Sequence, residues 1–245
     1  MTKSAQLTVE TPDGSMPAYE ASPAGLARGG VLVVQEAFGV TPHIEEIARR
    51  LADAGWYCLA PAFFHRQESP VFSYDDLSSV MPVMGQLTAE GFEVDLAAGF
   101  DHLARIGFTP ARTGVVGFCM GGTVSLYAAS SRALGAAVTF YGGGVLEGRF
   151  GLRSLVELAP ELQTPWLGLY GDLDRGILPE QVEKLRRAAG EASVPTEIVR
   201  YADADHGFNC NDRPAVFNPT AASDAWRRTL EWFDVHLQAE GARQA

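Results

Sequence analysis

The stretch Val115-Val-Gly-Phe-Cys-Met-Gly-Gly122 decides how the rest of the chain is read. An apolar run leads into Gly-Phe-Cys-Met-Gly, a Gly-x-nucleophile-x-Gly pattern with cysteine where serine is commoner. In such an elbow the nucleophile sits on a tight strand-to-helix turn, so its neighbours must be small for the two backbones to approach. The helix that follows presents its N-terminus to the sulfur, which favours the thiolate. A buried cysteine among packing glycines would satisfy the same five residues. The position after an apolar strand and before a helix favours the nucleophile.

On both sides of the elbow, strands alternate with helices. Residues 113–117 read as the strand that feeds it. Upstream, Gly30-Val-Leu-Val-Val-Gln35 is a continuous apolar run, suited to a strand buried on both faces. Thr41 and Pro42 fit the cap and first turn of a helix. Ile44, Ile47, Ala48 and Leu51 line one face of it, and Gly55 is its stop. Residues 56–60 return as a strand ended by Pro61, and residues 7–21 read as a hairpin about Pro12-Asp-Gly14. The segment 63–91 has weak periodicity and suits a loop with short helices over the sheet, while 92–106 is helical. Downstream, strands are expected at 136–141, 165–170 and 196–201, and helices at 179–189 and 224–237. This order implies an α/β fold with a mostly parallel sheet covered on both faces by helices. No repeat or linker divides the chain, so residues 1–245 read as one domain.

Composition narrows the function. The chain has 245 residues, 47% hydrophobic, with a formal net charge of −11. That field repels phosphate backbones, so nucleic acid is not an expected partner. Three cysteines, Cys58, Cys119 and Cys210, are too few and too odd for a disulfide framework and suggest a reducing compartment. The N-terminus lacks an apolar signal core and no run approaches membrane-spanning length, so a cytoplasmic protein is expected, with no membrane partner.

A thiol nucleophile needs a base. In the α/β-hydrolase chain order of nucleophile, acid and histidine, only His206 and His236 follow Cys119 with room for an acid between. His236 falls on the last helix. His206, in Asp205-His-Gly-Phe208, falls in the loop after the last strand, where the base belongs. The acid belongs after the preceding strand, in Gly171-Asp-Leu-Asp174; the Gly-x-x-Asp spacing favours Asp174 over Asp172. Either would fix the imidazole tautomer and stabilise its charged form. The oxyanion donors are expected at the backbone N–H of Met120, next after the nucleophile, and of Ala37 in Gln35-Glu-Ala-Phe-Gly39. Glu36 in that loop is a carboxylate beside an apolar strand end, costly unless partnered, though spacing alone would equally allow a turn acid facing water.

Together these residues resemble the dienelactone hydrolase (carboxymethylenebutenolidase) family over nearly the whole chain: the N-terminal hairpin, Gln35-Glu-Ala-Phe-Gly39, Gly117-Phe-Cys-Met-Gly-Gly122, Gly171-Asp-Leu-Asp174 and His206-Gly-Phe208. The resemblance implies an α/β-hydrolase fold and hydrolysis of an ester or enol-lactone, with neither metal nor organic cofactor. It implies a small-molecule substrate and a monomer or homodimer. It also gives Glu36 a catalytic part: held near the resting thiol, it takes the thiol proton when substrate binds. Cys119 then attacks, and His206 later activates the deacylating water. Tyr141 and Phe208 become expected substrate contacts. Family members that process dienelactone bind its carboxylate with arginines, one close behind the histidine. Here Cys210 stands at that place, Arg213 lies three residues later, and 74–91 contains no arginine. Arg66, His65 and Arg213 are the expected substitutes.

Other classes fit less well. A redox-responsive or binding protein would use the thiol of Cys119 but has no need of an oriented histidine. A peptidase or thioesterase would share the machinery, since fold does not fix function. No histidine pair has i, i+4 spacing for a metal site, and Gly142-Gly-Gly144 lacks the dinucleotide-binding pattern.

Overall fold

Two nine-residue strands, β1 (Lys3–Thr11) and β2 (Gly14–Ser22), form the antiparallel hairpin that the Pro-Asp-Gly turn implies. The computed structural model describes residues 1–237. After the hairpin come β3 (Gly30–Val34), α1 (Pro42–Asp53) and β4 (Tyr57–Pro61). Thr41 caps α1 by accepting from the Ile44 N–H. The segment to residue 91 carries a 3-10 turn, His65–Gln67, and the short helix α2 (Leu77–Met84). Next are α3 (Ala89–Arg105), β5 (Thr113–Phe118), α4 (Met120–Ser131) and β6 (Ala136–Phe140). The chain continues through α5 (Leu155–Leu158), β7 (Trp166–Gly171), α6 (Pro179–Ala189), β8 (Thr196–Tyr201) and α7 (Pro219–His236). One sheet results, in the order β1-β2-β4-β3-β5-β6-β7-β8, with β4, β3 and β5 to β8 mutually parallel.

The continuous apolar runs are explained by the two faces they serve. Along β3, Leu32 and Val34 face one core while Val31 and Val33 face the other; along β5, Val115 is divided in the same way from Val116 and Phe118. The first core takes Phe92, Leu96 and Leu103 of α3, Val124 and Leu126 of α4, and Val182 and Leu185 of α6. The second takes Ile44, Ile47 and Leu51 of α1 and Phe233 of α7. The architecture is the expected α/β fold, a mostly parallel sheet between two layers of helix. Among the described residues, no helix is long and apolar enough to cross a membrane.

Strand β1 and helix α3 start a few residues earlier than the sequence reading, and two helices depart further. Helix α7 begins at Pro219 rather than near Asp224, because Asn218 accepts from the Ala221 N–H and Pro219 occupies the first turn. The four-residue α5, with its Ser154–Glu157 capping pair, is too short for periodicity to register.

The elbow is the tightest join in the sheet. A Cβ on Gly117 would lie 1.8 Å from the Gly121 carbonyl oxygen, and one on Gly121 would lie 2.3 Å from that of Val34. Only hydrogen at these positions lets α4 start against the ends of β3 and β5. Gly117→Ala is therefore expected to lower the unfolding free energy by at least about 3 kcal/mol in urea titrations. Gly85→Ala, at the end of α2 with φ −67° and no Cβ contact under 3.4 Å, should stay within about 1 kcal/mol of wild type.

Candidate active site

In a parallel sheet, functional groups gather in the loops beyond the carboxyl ends of the strands. Here those ends carry Glu36 and Ala37 after β3, Cys119 after β5, Tyr141 after β6, Asp174 after β7 and His206 after β8. Cys119 has φ +55°, a left-handed conformation that a non-glycine residue holds only when its surroundings impose it. The surroundings do so on both sides. Its N–H donates to the Phe140 carbonyl at 3.1 Å, and its own carbonyl accepts from Gly122 and Thr123. The sulfur opens onto a cavity of about 90 Å³ lined also by His206, Met120, Met84, Arg149 and Phe150.

His206 is oriented from behind. Its Nδ1 lies 2.6 Å from Asp174 Oδ2, and Asp174 Oδ1 accepts from the N–H groups of Gly176 at 2.8 Å and Ile177 at 3.1 Å. With three bonds the buried carboxylate has one permitted orientation, and the imidazole Nε2 is left for Cys119. Asp172, the other acid in the loop, makes a two-point ion pair with Arg200 at 2.7 and 2.9 Å instead. Burial works against a charge on His206, but the Cys119 sulfur and the Asp174 carboxylate outweigh it and push its pKa up to about 10.

Glu36 is buried and partnered, not a turn acid facing water. One carboxylate oxygen accepts from Tyr74 Oη at 3.1 Å and the other from Tyr141 Oη at 3.5 Å. Among the described residues no hydrogen bond links Glu36 to Cys119, and the partners of its carboxylate are the two phenols. Burial, then Glu36, push the Cys210 thiol up to about 11, so a neutral group stands at the place where the family resemblance would put an arginine. Tyr141 itself has φ +40° and lies with its ring 5.0 Å from that of His206, linking the Glu36 network to the base.

The remaining expected residues divide. Met120 lines the cavity, while Ala37 packs in a small cluster with Phe38 and Val80; among the described residues neither backbone N–H has a backbone acceptor. Phe208 is fully buried, packed on Tyr141 at 5.3 Å and Tyr201 at 5.2 Å, so it supports the site from beneath instead of lining it. Arg66 lies outside the cavity. Its guanidinium grips Asp95 through two 2.9 Å bonds and also holds Asp13, while His65 binds Asp95 at 3.0 Å. Arg213 stacks over Phe38 and Tyr74 at 5.7 and 5.5 Å and does not line the cavity. Two residues were missed in the sequence. Tyr74 sits in the aperiodic 63–91 segment and Arg149 in a glycine-rich loop, and neither has local spacing that marks it. Among the described residues no three His, Cys, Asp or Glu side chains gather to hold a metal ion.

Comparison with known proteins identifies the family of the chain. Residues 16–237 match the model of the "Dienelactone hydrolase family". A relative from Escherichia coli O157:H7, named "Putative carboxymethylenebutenolidase", is 40% identical over 229 residues, covering 89% of this chain and 82% of its own. One of the same name from Methylorubrum extorquens is 33% identical over 241 residues, covering 93% of this chain and 79% of its own. A crystal structure of a "Putative Dienelactone Hydrolase" from Klebsiella pneumoniae superposes with a TM-score of 0.84 at 35% identity, covering 96% of this chain and 99% of that one.

The raised His206 pKa fixes a sign. A ring with its pKa raised from 6.5 to about 10 keeps its proton through neutral pH and loses it as pH rises through the higher value. Nitrogen-15 NMR should show His206 doubly protonated at neutral pH and titrating near 10, with Asp174→Asn lowering that midpoint. A wild-type midpoint near 6.5 would contradict the coupling.

Proposed function

The chain belongs to the dienelactone hydrolase family, and on that premise we propose that it cleaves an ester or enol-lactone through Cys119, His206 and Asp174. The observation that carries this reading is the line from Asp174 through His206 to a thiol at a strained elbow, opening on a cavity.

The chemistry follows from the charge state. Cys119 attacks as a thiolate beside a protonated His206, the reactive pair of thiol nucleophiles. The sulfur attacks the carbonyl carbon, and negative charge moves onto the carbonyl oxygen. The N–H groups of Met120 and Ala37 are the donors assigned to it. The intermediate collapses, breaking the carbon–oxygen bond; the leaving alkoxide or enolate takes the proton from His206. What remains is an acyl-thioester and a neutral imidazole. His206 then removes a proton from water as the water attacks the thioester, and the second collapse expels the thiolate and restores the ion pair. One bond is cleaved, one water consumed, and the residues return to their starting state. Asp174 holds Nδ1 throughout.

In this reading Glu36 is a positioning residue. It accepts from Tyr74 and Tyr141, and acts by ordering Tyr141, whose ring lies 5.0 Å from that of His206. No organic cofactor or metal enters any step.

Initial-rate assays with a dienelactone and a neutral aryl ester test the reading. Cys119→Ala, a small residue at the elbow, should keep the fold and lose at least about a thousandfold in turnover. Undiminished hydrolysis by the folded variant would remove Cys119 from the mechanism.

A further inference from the structure

The cavity beside Cys119 contains a cation that the mechanism does not use. Arg149 follows β6 in the loop that ends at α5 and lines the same cavity as Cys119 and His206. Among the described residues its side chain has no hydrogen-bond or carboxylate partner, unlike Arg66, Arg132, Arg153, Arg200, Arg227 and Arg228, each bound to at least one acid. Other arginines, among them Arg50, Arg187 and Arg213, also lack an acid partner among the described residues, and what sets Arg149 apart is that it lines the cavity of Cys119 and His206.

Its position is built. The guanidinium lies along Gly143, where a Cβ would come within 3.3 Å of Nη1. The backbone is pinned by the Leu152 N–H donating to the Arg149 carbonyl at 2.8 Å. The next residue, Phe150, is held at φ +58° with its ring against Phe92 at 5.6 Å. Such a left-handed non-glycine turn persists only where packing over-determines it. Arg213, in the loop after His206, stacks its face on Phe38 and Tyr74 and stands outside the cavity. Behind the histidine, Cys210 offers no charge.

We infer that Arg149 selects substrates that carry a carboxylate near the scissile carbonyl, binding that group on the β6–α5 wall of the cavity while Cys119 attacks. This rests on the cysteine-hydrolase reading above. A guanidinium meets a carboxylate through two parallel hydrogen bonds, which fixes orientation as well as attracting charge. It also supplies the local cation that an anionic substrate needs against the field of an acidic protein. The cavity is lined also by Met84 and Phe150, apolar surface for the rest of the substrate.

Dienelactone and its methyl ester test this, because they share the scissile bond and differ in one charge. Arg149→Ala should lower the ratio of kcat/KM for the acid over the ester by roughly tenfold or more, chiefly through the KM of the acid. Arg149→Lys, which keeps the charge without the fork, should fall between. Arg187→Ala, an exposed arginine on α6, should leave the ratio where it is. An unchanged ratio in Arg149→Ala, or an equal fall in Arg187→Ala, would overturn the assignment. The two readings fail separately. Turnover of both compounds by Cys119→Ala at the wild-type rate sinks the cysteine mechanism, whereas Cys119-dependent turnover with an unmoved ratio sinks only the role of Arg149.

Discussion

Everything at this site depends on how closely two backbones approach at the elbow. Gly117, Gly121 and Gly122 have no room for a Cβ: each would collide with a backbone atom of α4, β3 or β6. That closeness starts α4 directly after β5, sets Cys119 at a φ it would not otherwise adopt, and brings the Gln35–Gly39 loop beside the helix N-terminus. Gln35 extends the constraint outward, since its side chain accepts from the Phe63 N–H and so ties the end of β3 to the start of the 63–91 segment. A loop otherwise free to wander is thus anchored within reach of the site, and Tyr74 and Met84 arrive with it.

The second constraint is electrostatic. The protein is acidic, yet the site concentrates a charged imidazole, a buried Glu36 and Arg149, which has no acid partner among the described residues, in a small volume. The first two are stabilised locally. Asp174, already oriented by two backbone N–H groups, supports the imidazolium, and two phenols solvate Glu36 in place of water. Burial raises the Tyr74 and Tyr141 pKa values, with the charge of Glu36 adding to it, so both phenols stay protonated and serve as donors. Cys210, next to that network, is kept neutral by burial and by the charge of Glu36.

Much of this was legible in the sequence because its physics is local. The apolar runs of β3 and β5, the Thr41-Pro42 start of α1 and the glycine spacing around Cys119 each carry their meaning within ten residues. The order of nucleophile, acid and base depends only on strands already recognised, which is why Asp174 and His206 could be named. What was not legible depends on long-range partners. Arg66 looked available in sequence, but Asp95 lies on the inward face of α3, where a buried carboxylate needs a cation, and it captures both Arg66 and His65. Phe208 looked like a pocket residue and is instead packed beneath Tyr141. Arg149 follows three glycines and a stretch without period, so only the folded loop reveals what it faces. The Asn218-Pro219 start of α7 was readable by the same capping logic as α1 and shows that a strong local signal can be overlooked beside a stronger apolar one.

The most direct test of the account is intact-mass spectrometry of the enzyme quenched during turnover of a slow ester, followed by peptide mapping. The account predicts a transient gain of the acyl mass on Cys119, formed and lost at rates compatible with turnover. Turnover that proceeds with no acyl group on Cys119, or with the acyl group on another residue, would contradict it.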